Sequence, residues 1–148
     1  MNQHALTSVA EFLNDAGWDY SVFLRSYTTS FGVGASSEQL IRAALSDAAV
    51  IDRIEKVTSA EAGCEVKTSI SYAGDSGAGP DSKAMQSERF SELLTALLKE
   101  IEAAARSAVR IEKFSLSSGH PAYPVFWDFA FLFTGTNEAV VFVGSSSD

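Results

Sequence analysis

The side chains best suited to chemistry lie in one stretch, His120 to Phe133, which reads HPAYPVFWDFAFLF. Histidine titrates nearest neutral pH, and an aspartate held among aromatic rings has its charged form disfavoured and its pKa raised. His120 and Asp128 are therefore a candidate acid–base pair. Tyr123 and Trp127, between them, would offer ring surfaces to a small ligand. The competing reading is structural. An aspartate in such a strand hydrogen-bonds a neighbouring tyrosine, tryptophan or amide, and a histidine in a Ser-Gly-His-Pro turn faces water. The histidines are His4 and His120, and no carboxylate stands at ligand spacing on the same element, so no metal and no cofactor is expected.

A second constellation is acidic. Asp47, Asp52, Glu55, Glu61 and Glu65 cluster best along the chain, and the net charge is −8 with a pI near 4.7. Asp52, Glu55 and Glu65 are the candidate partner-binding residues, on a surface that would dock a basic protein. The same excess argues against nucleic acid and against anionic lipid as partners.

Two glycine-rich segments invite comparison. Gly74 to Pro80, GDSGAGP, resembles the Gly-Asp-Ser-Gly-Gly-Pro nucleophile segment of chymotrypsin-like serine proteases. The resemblance implies Ser76 as nucleophile, with a histidine base and an aspartate to orient it. It covers seven residues, and neither histidine sits in that family's Ala-Ala-His-Cys type of context. Those folds are also longer, with two barrels. The Gly-Asp-Ser run is similar to that of lipases bearing it near the N-terminus, whose downstream Asp-x-x-His is missing here. Gly32-Val-Gly34 opens like a dinucleotide loop, with Asp52 placed as the ribose acid. Its third glycine position is Ser37, and no parallel βαβ repeat follows.

The elements that must position these residues follow from periodicity. Leu6 to Ala16 is predicted as a helix capped by Thr7 or Ser8 and stopped at Gly17. In Asp19 to Phe31, Tyr20, Phe23, Leu24, Tyr27 and Phe31 keep helical spacing, which favours a helix, although the aromatic and threonine content also suits a strand. Ser36 or Ser37 caps a helix to about Leu45. Ala49 to Ser59 and Cys64 to Tyr72 are predicted as a hairpin, because Cys64, Val66, Thr68, Ile70 and Tyr72 alternate with polar residues. That hairpin would gather the acidic residues along one edge.

Ser87 to about Ala108 is the clearest helix, with Phe90, Leu93, Leu94, Leu97, Leu98 and Ile101 in one stripe. Strands follow at Arg110 to Leu116, Pro124 to Phe133 and Ala139 to Val143, and the tail from Gly144 to Asp148 is expected to fray. The strand through Trp127 is apolar on both faces, with Val125, Trp127, Phe129, Phe131 and Phe133 on one side and Phe126, Ala130 and Leu132 on the other. Such a strand belongs at the centre of a sheet. The fold expected is α+β: one antiparallel sheet of about five strands, with N-terminal helices and the long helix packed on it.

A chain of 148 residues suits one domain over 1–148 and buries roughly 70% of its unfolded surface. Cys64 is the lone cysteine, and the N-terminal stretch lacks the basic and apolar parts of a signal peptide. A cytoplasmic location follows as the expectation. The function expected is that of a small acidic binding protein, an immunity or antitoxin-type inhibitor of a basic partner, and not an enzyme. The alternative is a ligand-binding or enzymatic domain using the His120–Asp128 region. Either the N-terminal helices or a second subunit must cover the far face of the central strand, so a homodimer is a further expectation.

Overall fold

The computed structural model describes residues 1–75 and 77–148. Helix α1 (Gln3–Asp15) starts earlier than expected, because the Asn2 side chain caps it by accepting the His4 amide. A two-residue strand β1 (Gly17–Trp18) leads into β2 (Ser21–Ser30), and α2 (Ser37–Leu45) and β3 (Val50–Lys56) follow. Next come α3 (Ser59–Ile70), the short β4 (Gly79–Pro80) and α4 (Ser82–Met85). The chain closes with α5 (Glu88–Ser107), β5 (Arg110–Ser118), β6 (Trp127–Thr134) and β7 (Glu138–Ser147). The fold is α+β. Its main sheet is antiparallel throughout, in the order β2-β7-β6-β5-β3, and β1 pairs with β4 apart from it.

The strand through Trp127 is the middle one. Phe129, Phe131 and Phe133 pack on one side against Leu6, Val9 and Leu13 of α1, Val66 and Ile70 of α3, and Leu97 and Ile101 of α5. Ala130 and Leu132 pack on the other side with Leu40 and Ile41 of α2, so α2 covers the centre of the far face. Its start is tied to the sheet through Ser37, whose hydroxyl donates to Glu112 at 2.7 Å, while Arg110 meets Glu112 at 3.0 Å.

Three expectations are corrected. Residues 21–30 form a strand and not a helix. Asp19 has φ 42°, outside the extended region of a helix cap, and Val22 and Leu24 enter one core layer while Phe23 and Tyr27 join the other. The residues from Cys64 to Tyr72 form most of a helix and not a hairpin arm. Thr58 and Glu61 make a reciprocal capping box, and Ala62, Val66 and Ile70 are the buried positions. A spacing of four satisfies both periods, but Cys64 and Thr68 are exposed, as only the helix requires. Finally, the tail is a strand to Ser147. Ser145 and Ser146 are each 1% exposed, and Gly144 is needed because a Cβ there would run into the Phe129 ring.

The margin of the sheet at β2 is closed by side-chain amides. Val22 donates to Asn14 Oδ1 at 2.5 Å and accepts from Asn14 Nδ2 at 3.3 Å. Gln3 does the same three helical turns earlier, donating to the Leu24 carbonyl at 3.3 Å and accepting the Ser26 amide at 3.1 Å. Helix α1 thereby stands in for a neighbouring strand.

Two outcomes are expected. Leu97 is fully buried, so Leu97→Ala should cost about 2–5 kcal/mol, read as a lower denaturation midpoint at constant slope. Asn14→Ala leaves the outward amide and carbonyl of Val22 unanswered and should cost about 1–3 kcal/mol, with faster exchange of the Val22 amide.

Candidate functional site

The predicted docking carboxylates do come together, though not on a hairpin. Asp52 sits in a bulge of β3, where the register slips between Ile51 and Arg53, and accepts the Ser115 hydroxyl at 3.4 Å. Glu55 lies opposite Lys113 in the ladder and meets Arg53 at 3.5 Å. Glu65 arrives from α3 and meets the same Lys113 at 2.7 Å. A cleft of about 180 Å³ at Glu55 is lined by Arg53, Glu55, Lys113, Phe114 and Ser115, and by neither Asp52 nor Glu65. Cations are interleaved with the acids here, so the local charge is largely balanced.

His120, Tyr123, Trp127 and Asp128 do not converge. Asp128 is exposed and follows Trp127 in a strand, so the two side chains leave opposite faces. The aromatic surroundings expected to desolvate Asp128 lie on the face it does not enter. His120 is occupied by its own turn, its Nδ1 facing the Ala122 carbonyl and accepting the Ala122 amide at 3.1 Å. Its Nε2 is buried without a partner among the described residues. Tyr123 is 83% exposed.

Trp127 belongs to a cluster that the sequence reading missed. Its indole stacks on Phe129 with centroids 5.8 Å apart and donates to the Tyr20 hydroxyl at 2.9 Å. The Tyr20 ring in turn lies 6.2 Å from Tyr72 and 5.8 Å from Phe126. Burial pushes the Tyr20 phenol above its ordinary range, and the hydrogen bond from Trp127 offsets part of that rise. Ser146 Oγ stands near enough to ease it slightly, but makes no bond of hydrogen-bonding geometry. No linear motif marks this cluster. Tyr20 and Trp127 meet because β2 and β6 share β7 as a neighbour, and Tyr72 joins them from just past α3.

The glycine-rich segment serves as a brace beside the cluster. Asp75 accepts the amides of Gly77 at 2.8 Å and Ala78 at 2.9 Å, which hold its carboxyl below the usual aspartate range. Gly74 and Gly79 approach so closely that a Cβ on either would strike the other. This turn presents β4 to β1, and Asp81 donates its amide to the Ala16 carbonyl at 2.8 Å. The result is a fixed platform from which Trp18 projects, 73% exposed. Asp75 is thus used in its own turn, and Ser76 of the protease-like segment lies outside the described residues. The dinucleotide reading also loses its geometry. Ser37 holds the Glu112 carboxylate at the start of α2, where a phosphate would bind, and the strand that follows is antiparallel.

Larger clefts, of about 440 and 510 Å³, open beside the C-terminal half of α5 and just past its end. Met1, Glu100 and Ser107 help line the first, and Lys56, Val109 and Arg110 the second. Among the described residues no three of His, Cys, Asp and Glu converge to hold a metal ion. No helix there is long and apolar enough to cross a membrane.

The two tryptophans report separately on this end of the molecule. In Trp127→Phe, the remaining Trp18 emission should be red-shifted and readily quenched by iodide or acrylamide. The lost indole donor should lower stability by about 0.5–1.5 kcal/mol. A blue-shifted, protected Trp18 would contradict the platform.

Compared with protein-family models, with curated proteins and with solved structures, the chain matches none.

Proposed function

We propose that the protein is a non-catalytic binding module for a basic protein partner, acting as an inhibitor of the immunity or antitoxin kind. The observation that carries this reading is where its unbalanced charge lies. Residues 15–21, 72–75, 77–83, 125–128 and 144–148 meet at the end of the molecule that holds the Tyr20–Trp127 cluster. They carry Asp15, Asp19, Asp75, Asp81, Asp128 and Asp148, and Lys83 is their one base. Ion pairs among the described residues engage Glu38, Glu55, Glu65, Glu92 and Glu112, and none of those six aspartates.

Carboxylates outside the ion pairs of the described residues, at the end from which Trp18 projects, suit lysine and arginine side chains. Carboxylates attract the cation over a distance, and ring faces hold it on contact. Tryptophan and tyrosine are also the residues on which protein interfaces concentrate their binding energy. Of the two acidic regions, this one has charge left for a partner, whereas Glu55 and Glu65 are balanced by Arg53 and Lys113.

The test is capture of host proteins on the immobilised chain at low salt, followed by stopped-flow association with the protein recovered. A basic partner that elutes with salt is expected. Asp19→Asn with Asp128→Asn should slow its association more than Glu55→Gln with Glu65→Gln does. A recovered partner that is acidic, or whose association rate ignores ionic strength, would sink the reading.

A further inference from the structure

We infer that β3 is a self-complementary edge through which two copies of the chain pair, running antiparallel about a two-fold axis at Ile54. Strand β3 pairs on one side with β5 and ends the sheet order, and five of its seven residues are exposed. Val57 donates its amide to Ile111 of β5. In an antiparallel ladder the direction alternates, so the amides of Ile54 and Lys56 point to the open margin.

Charged residues on an edge strand ordinarily prevent pairing with other chains. Here the order of signs reverses that effect for one partner. Residues 53–55 read Arg-Ile-Glu. Turned about Ile54, Arg53 of one copy meets Glu55 of the other, and the converse pair forms by symmetry. In parallel register like would meet like, so the pattern selects the antiparallel dimer. Arg53 and Glu55 share one face, as their 3.5 Å ion pair requires, so both new ion pairs lie on that face. The other face brings together half-buried Ile51, Ile54 and Leu116, which belong to the layer that α2 covers only at its centre. Pairing would add apolar burial there and join two sheets into one of ten strands. The regular stretch is short, so the association is weak and concentration-dependent. It leaves the Trp18 end free, and does not depend on the partner proposed above.

The experiment is sedimentation velocity over a wide concentration range on the whole chain and two variants, Arg53→Glu and Glu55→Arg. The wild type is expected to dimerise reversibly. Each variant alone places like charges opposite each other twice and should weaken dimerisation about tenfold or more. An equimolar mixture of the two restores complementary pairs and should form the heterodimer. Circular dichroism melts keep loss of fold separate from loss of pairing, since both side chains are exposed. In the wild type, the amides of Ile54 and Lys56 should exchange more slowly as concentration rises. A monomer at every concentration would overturn the proposal, and so would a dimer whose strength neither variant changes.

Discussion

The structure depends on the pairing of β2 with β7. Ser21 and Ser147 lie opposite each other although 126 positions separate them. Ten rungs join the two strands. Until they form, β7 has only β6, α1 has no sheet margin to close, and Tyr20 cannot reach Trp127. The core layers inherit this dependence. Val22 and Leu24 enter one of them, and Phe23 and Tyr27 join the other. A ladder of such long range is slow to form, because its loop must close before any rung contributes.

The two margins of the sheet are handled in different ways. At β2, Asn14 and Gln3 answer outward backbone groups directly, so α1 is bonded where a sixth strand would lie. At β3 the backbone is left open, and the bulge at Asp52 and the charges around it decide what can approach. One edge is therefore closed by hydrogen bonds made within the chain, and the other is selective. The aromatic end adds a third kind of surface, in which large rings stand out because glycine contacts and a short ladder fix the turn beneath them.

Much of this architecture was legible in the residue pattern. The apolar stripe of α5 and the two-faced strand β6 carry enough consecutive signal to override local ambiguity. The exchange of helix and strand at residues 19–31 and 64–72 has physical causes. A ten-residue strand that sends apolar residues into both core layers shows no clean alternation, and a helix whose buried residues stand four apart also satisfies the period of a strand. The serine-rich tail reads as solvent-loving. Its burial comes from the partners that β7 finds on both sides, which no local window contains. The same limit applies to the site. Trp127 and Asp128 were visible as unusual residues, but their separation onto opposite faces, and the union of Trp127 with Tyr20, belong to the sheet order.

The antiparallel course of β2 and β7 also fixes how the molecule answers force. Ser21 and Ser147 stand side by side at the same end of the ladder. A pull applied between them acts across the strands, so it loads one rung at a time and opens the pair like a zipper. Strands drawn lengthwise past each other would instead have to break all their rungs together. Tension between these two points is therefore met by a weak mechanical element: β7 stays on β6 while β2, which has no strand on its other side, peels away from Ser21 inward and uncovers Ser145 and Ser146 before the phenylalanines of the core give way.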